Sequence, residues 1–278
     1  MEDRQCVDFL REMLPQAGLR WPGFRRVRRT VCKRLSRRMA ELGLADLAGY
    51  RDCLRANRAE WASFDAMCRI PISRFYRDRG IFAALADQIV PELAAAAAGA
   101  HRIFRCWSLG CASGEEPYSI ALLWRFRVAP VFPDLRCRIL ATDADPVMIE
   151  RAQVGCYAES SLRDLPTAWR AGFKRSGGRL CLDPAWRGDI EFRCQDVRRE
   201  MPGEVFDLIL CRNLVFTYFD ESAQRRLLPE LARRLMPDGA LVIGRHESVP
   251  PTASLRAWRP KLGIFRLAPP AAAVPAAG

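Results

Sequence analysis

Cys106-Trp107-Ser108-Leu109-Gly110-Cys111-Ala112-Ser113-Gly114-Glu115-Glu116-Pro117-Tyr118 decides the fold. The apolar run from Ile103 to Leu109 stops at Gly110, small residues follow, and Pro117 opens a helix-like segment from Tyr118 to Phe126. A strand that breaks on glycine and feeds a helix N-terminus is how α/β folds bring backbone N–H groups up to a nucleotide. Here two carboxylates, Glu115 and Glu116, stand at the helix mouth. They repel phosphate but suit an ammonium or sulfonium charge. The loop therefore points away from NAD or ATP and toward S-adenosylmethionine.

Outward from this loop, strands and helices alternate from residue 101 onward, the pattern of a parallel sheet covered on both faces. Strands are expected over Ile103–Leu109, Cys137–Thr142, Ile190–Gln195, Phe206–Cys211, Ala240–Gly244 and Gly263–Leu267. Helices fall near Pro117–Phe126, Pro146–Gln153, Thr167–Phe173 and Glu221–Leu235. The expected fold class is α/β, a Rossmann-like sheet over residues 101–267, preceded by a small all-α domain. A small β insertion is expected near 177–189, and the Pro- and Ala-rich tail 268–278 is too poor in core formers to fold.

Residues 1–90 read as helical. Phe24, Val27, Val31, Leu35, Met39 and Leu42 recur at steps of three or four and line one face. Gly43 ends that helix, Asp46 is a candidate N-cap for Leu44–Leu54, and Trp61–Cys68 forms a third helix. Residues 91–100, mostly alanine, form a linker helix at the domain boundary.

The chain has 278 residues and a formal net charge of +12. Nine Lys or Arg residues and no acid lie between Arg20 and Arg38. Such a block is either a solvated helix face or an attractor for an acidic partner. No apolar run reaches the ~20 residues that cross a bilayer, and the N-terminus lacks a signal-peptide core. A cytoplasmic protein, not an integral membrane protein and a monomer, is expected. The 11 cysteines contain no Cys-x-x-Cys spacing, and neither histidine lies near a cysteine pair. They read as reduced core residues, with no metal site.

Ligands in such sheets bind beyond the carboxyl ends of the strands. Asp143 follows the second strand and can accept bonds from both ribose hydroxyls, while Asp145 fits better as a helix N-cap. Asp196 closes the third strand and could face an adenine amino group. Arg212-Asn213 ends the fourth strand, and Tyr218 follows within Phe216-Thr217-Tyr218-Phe219, where core packing is the competing reading.

These residues resemble one family. Trp107 to Ser119, Ala141-Thr142-Asp143-Ala144-Asp145, Phe206 to Asn213, Tyr218-Phe219-Asp220 and Met236-Pro237-Asp238-Gly239 closely resemble, in order, the motifs of the CheR family of chemotaxis receptor methyltransferases. Ile72-Ser73-Arg74-Phe75-Tyr76-Arg77-Asp78 is similar to that family's Thr-x-Phe-Phe-Arg segment, and the basic N-terminal region is similar too. The resemblance implies a Rossmann-like S-adenosylmethionine-dependent methyltransferase that forms glutamate methyl esters on the cytoplasmic helices of chemoreceptors. It implies cofactor contacts at Ser73, Arg77, Gly110, Glu116, Asp143, Asp196, Val197, Arg212 and Asn213, with Arg77 and Tyr218 nearest the reacting groups. Acidic receptor helices, or another acidic protein substrate, would then bind Arg25, Arg28 and Arg29, and the β insertion would correspond to a receptor-tail docking module. The chain departs from the family at Pro71, where asparagine is usual, and by four residues instead of three between Asn213 and Tyr218.

Two alternatives stay open. One is a CheR-like methyltransferase or a non-catalytic S-adenosylmethionine-binding regulator acting on a partner other than a chemoreceptor. The other, a nucleic-acid methyltransferase, is disfavoured because Arg212-Asn213-Leu214-Val215 replaces the Asn/Asp-Pro-Pro-aromatic motif; no nucleic-acid partner is expected.

Overall fold

The computed structural model describes residues 2–268. Most of the tail expected to be disordered lies outside the described residues. The chain begins with helices α1 (Asp3–Met13), α2 (Trp21–Phe24), α3 (Arg28–Glu41), α4 (Leu47–Ala56) and α5 (Glu60–Cys68). The periodic face is present but split at Arg25–Val27. Phe24, Val31, Leu35 and Met39 are buried, whereas Leu42 is exposed beyond the end of α3. Asp46 caps α4 by accepting the Gly49 N–H at 2.9 Å.

Helix α6 (Arg79–Ala84) continues through a π-helical turn, Leu85–Ile89, into α7 (Val90–Gly99). By length and composition this 21-residue helix could cross a membrane, which corrects the expectation of no such run. Its apolarity serves the interior instead: Ile89, Val90, Leu93, Ala94 and Ala97 are buried against β1 (Phe104–Leu109) and its neighbours. The alanine-rich stretch read as a linker is thus part of a layer on the sheet, because alanine lets helix and strands approach closely.

After β1 come α8 (Glu115–Leu123), β2 (Cys137–Asp143), α9 (Pro146–Val154), β3 (Cys156–Tyr157), β4 (Phe173–Ser176), β5 (Arg179–Leu182), β6 (Asp189–Cys194) and β7 (Phe206–Cys211). The chain then forms α10 (Val215–Tyr218), α11 (Glu221–Arg233), β8 (Leu235–Ile243), β9 (Leu255–Arg259) and β10 (Ile264–Leu267). The main sheet has the order β6-β2-β1-β7-β8-β10-β9. Strands β6, β2, β1, β7 and β8 run parallel, and β10 is antiparallel to both β8 and β9. Strand β9 was not anticipated, since Arg256, Ala257 and Arg259 give no apolar alternation.

Alternation along the strands divides the core. Trp107, Leu109, Ile209, Cys211, Leu241 and Ile243 face the cluster that contains the N-terminal helices. Phe104, Cys106, Leu208, Leu210 and Val242 face the cluster with α6 and α7. The N-terminal helices therefore share one core with the sheet.

The β insertion is larger than expected: β3, β5 and β4 form their own three-stranded sheet. A two-residue strand paired across a long loop leaves no periodic signal. The reduced-cysteine expectation is also corrected. Cys6 bonds Cys32 between α1 and α3, and Cys156 bonds Cys181, its directly paired residue across β3 and β5. Sequence separations of 26 and 25 residues conceal both juxtapositions. The other seven cysteines are free.

Candidate active site

The strand order reverses at β1. Strand β2 lies on one side and β7 on the other, so the crevice beyond their carboxyl ends is the binding position of a doubly wound sheet. Gly110 turns the chain out of β1 at φ +75°, and a Cβ there would stand 2.8 Å from Leu214. Ala112 follows at φ +46°, a conformation that side-chain-bearing residues rarely adopt. The loop is stitched to β2: Gly110 and Cys111 donate N–H bonds to the Thr142 carbonyl at 2.8 and 3.0 Å. Asp143 accepts the N–H of Ala112 through one carboxylate oxygen and that of Asp145 through the other, each at 2.9 Å. Each oxygen keeps acceptor capacity toward the crevice. Burial pushes the Asp143 carboxyl up, against the pull of the Asp145 and Ala112 N–H groups. Asp145 caps α9 through Val147 N–H, as expected.

The two glutamates separate. Glu115 is buried away from the crevice, bonded by the hydroxyls of Ser113 and Ser161. Glu116 lines the crevice, accepting from the Ser108 hydroxyl at 2.8 Å and from Arg212 at 2.9 Å. Arg212 also donates to the Arg77 carbonyl and to Asp78 at 2.8 and 2.7 Å. Burial lifts the Glu116 carboxyl, and Arg212 and Ser108 oppose the lift. An arginine between two carboxylates holds the ends of β7, α8 and the segment before α6 together; removing one member of such a buried set costs about 3–5 kcal/mol.

Asp196 lines the crevice with its carboxylate already engaged by an arginine. Arg198 donates to both its oxygens, at 3.0 and 2.6 Å, and reaches on to Asp65 of α5 at 2.5 and 2.8 Å. Asp65 also pairs with Arg69, which bonds the Ala144 carbonyl at 2.6 Å. Burial raises the Asp196 carboxyl, but Arg198 outweighs it and the net shift is downward. Val197 and Ser73 line the crevice. Beside Asp196, the Gln195 Oε1 and, beyond β7, the Arg212 Nε are buried with no hydrogen-bond partner among the described residues.

Arg77 and Tyr218 both line the crevice. Tyr218 ends the single turn α10 and lines the crevice with the extra residue before it. Asn213, at φ +58°, donates its N–H to Glu247, which also accepts from the Thr217 hydroxyl. Burial lowers the Arg77 pKa and raises that of Tyr218, which the Arg77 charge in turn pulls down, so the two groups share one field. Pro71, the departure from the family pattern, sits on the same wall.

Arg25, Arg28 and Arg29 lie outside the crevice lining. Arg28 pairs with Asp3 at 3.2 Å. Arg20, Arg34 and Arg38 are likewise committed to carbonyls or carboxylates of the fold. Arg25, Arg26, Arg29, Lys33 and Arg37 are exposed, with no carboxylate partner among the described residues. Asp65 and Arg198 had no motif to announce them; their pairing exists only because α5 meets the segment after β6.

The chain matches the family described as CheR methyltransferase, SAM binding domain, over residues 72–259. It belongs to the CheR methyltransferase family. It is 34% identical to a chemotaxis protein methyltransferase of Listeria monocytogenes, covering 67% of this chain and 68% of that protein. It is 33% identical to that of Salmonella typhimurium, covering 78% and 75%. It is also 36% identical to an uncharacterized 104.1 kDa protein of Rhodobacter capsulatus, where the match covers 79% of this chain but only 23% of the larger protein. Solved structures that overlap it include the N-methyltransferase NodS of Bradyrhizobium japonicum, at TM-score 0.31 and 18% identity, over 60% of this chain and 63% of that one. The fold assignment rests on the strand order.

The crevice of this CheR-family chain suits S-adenosylmethionine, the family's cofactor. Asp143 offers a carboxylate at a strand end where such sheets bind ribose, the Gln195 Oε1 on the same wall is buried without a partner among the described residues, and Gly110 and Glu116 line the crevice beside it. The chain is an S-adenosylmethionine-dependent methyltransferase.

Proposed function

We propose that this methyltransferase esterifies glutamate side chains on the cytoplasmic helices of a chemoreceptor. The observation that carries the reading is Arg77. Of the crevice arginines, Arg69, Arg74, Arg198 and Arg212 pair with carboxylates of the chain. Arg77 donates only to the Ile72 carbonyl, at 2.6 Å, and has no carboxylate partner among the described residues. A half-buried guanidinium with free donors, on the wall of the crevice, is a receptor for an incoming carboxylate.

When bound, S-adenosylmethionine supplies a methyl group already activated on a sulfonium sulfur. A glutamate oxygen displaces that sulfur at the methyl carbon, the C–S electron pair stays on sulfur, and no proton moves. The chain therefore needs no general base; its work is positioning and exclusion of water. Arg77 holds and orients the acceptor carboxylate, and the Tyr218 hydroxyl, in the same crevice, shares that task. Asp143 and Glu116, with Ser73, Val197 and Asn213, hold the cofactor.

The exposed Arg25, Arg26, Arg29, Lys33 and Arg37 supply an uncompensated positive face for acidic receptor helices. The β3-β5-β4 sheet offers two strand edges for a receptor tail. The protein works as a cytoplasmic monomer in this reading. The test supplies methyl-labelled S-adenosylmethionine with a receptor cytoplasmic fragment. Label released as methanol by mild alkali supports a carboxyl ester. Alkali-stable label, or cofactor binding with no transfer to any cell protein, would reject it.

A further inference from the structure

Helix α10 is one turn long, so the carbonyls at its end have no helical donors. All three are capped by a single residue 196 or more positions upstream. Arg20 donates its backbone N–H to the Tyr218 carbonyl at 2.8 Å, its Nε to the Thr217 carbonyl at 3.1 Å, and an Nη to the Phe216 carbonyl. The contacts extend to both sides. Leu19 pairs with Phe219 as an antiparallel bridge, and Asp220 donates its N–H to the Gly18 carbonyl at 2.9 Å. The Phe24 ring lies 5.0 Å from that of Tyr218. Gly23 has no room for a Cβ, because the Thr217 carbonyl occupies the space. The opposite side of the turn is held by Glu247, through Asn213 N–H and the Thr217 hydroxyl.

We propose that Arg20 is a positioning residue for Tyr218: by capping three consecutive carbonyls it fixes the height and direction of the tyrosine in the crevice that it shares with Arg77. The inference rests on the role given to Tyr218 in the proposed function. It explains how an extra residue between Asn213 and Tyr218 leaves the tyrosine in the crevice. The added length becomes a turn whose exposed carbonyls require a fork of donors, and an arginine fork supplies two in fixed geometry. The basic segment consequently has two jobs within a few residues: Arg20 binds inward to the crevice wall, and Arg25, Arg26, Arg29, Lys33 and Arg37 face solvent.

The test is a kinetic double-mutant cycle with labelled S-adenosylmethionine and a receptor cytoplasmic fragment. Tyr218→Phe lowers kcat. Arg20→Ala lowers kcat about 10- to 100-fold, the effect of a misplacement on the order of 1 Å, with the KM for the fragment and the calorimetric cofactor Kd unchanged. In the Tyr218→Phe background the same Arg20→Ala change adds less than about twofold, since its effect runs through the tyrosine. Arg20→Lys, which keeps one donor and the backbone amide, falls between and provides the same cycle if Arg20→Ala unfolds. Equal losses in both backgrounds would overturn the positioning role, as would full activity of Arg20→Ala beside a slow Tyr218→Phe. Full activity of Tyr218→Phe would instead remove the tyrosine reading itself.

Discussion

The Asp143 carboxylate accepts the Ala112 N–H at 2.9 Å, so the tip of β2 and the loop leaving β1 form one unit. Replacing Asp143 by alanine removes a ribose acceptor and leaves two N–H groups unpaired. Cofactor affinity should fall about 10- to 100-fold, from a loss of about 1–3 kcal/mol, as read by calorimetry. Since burial raises this carboxyl, its charged form is lost, as pH falls, at a higher pH than in an ordinary aspartate. Affinity is therefore full above that interval and declines through it on acidification. Unchanged affinity in the alanine variant would reject the ribose assignment.

The basic segment should divide by function. Reversing Arg25 and Arg29 to glutamate should lower kcat/KM for an acidic receptor fragment about tenfold at low salt and less at high salt, with cofactor affinity intact. Reversing Arg38, which holds buried Glu60 at 2.7 Å, should unfold the N-terminal helices instead. Circular dichroism beside the kinetic assay separates the two, and loss of cofactor binding on reversing Arg25 and Arg29 would refute the division.

Glu60 predicts an acid-sensitive fold. Its carboxyl is held down by the Arg38 hydrogen bonds, against burial, with help from Tyr50 at 2.8 Å. A lowered pKa stabilises the folded state at pH above the usual glutamate range, and that stability is lost as pH falls through the lowered value. Glu60→Gln should cost about 1–3 kcal/mol near neutrality and flatten the acid limb of a denaturation series. An acid limb identical to that of the parent would exclude Glu60 as its source.

Thiol counting tests the two disulfides. Protein denatured without reductant should expose seven thiols, rising to 11 after reduction. Cys6→Ser should lower stability by about 2–4 kcal/mol under oxidising conditions and by much less in reductant. Eleven thiols at the outset would mean that both pairs are open.

Much of the site was legible because it sits where strands end. Gly110, Asp143 and Arg212 each follow a run of apolar residues, Asp196 follows an alternating edge strand, and the carboxyl end of a parallel strand is also where ligands bind. That local rule places a residue near the crevice but not its partner. Asp196 lines the crevice with its carboxylate tied to Arg198, which reaches on to Asp65, and Arg28 pairs with Asp3 at the surface. Both outcomes depend on α1 and α5 packing back over the chain.

By itself the sequence determined the alternating α/β order, the glycine turn out of β1, the carboxylate at the tip of β2 and the basic helical N-terminus. Each is written in residues a few positions apart, through periodicity, capping and backbone freedom. Only the tertiary structure decided which of nine neighbouring basic residues have no carboxylate partner among the described residues, that Arg77 has none among them either, that Cys156 faces Cys181, and that Arg20 caps the turn bearing Tyr218. Pairings of that kind are set by the meeting of segments 25 to almost 200 residues apart, and no local pattern records which of several equivalent arginines will be the one that arrives.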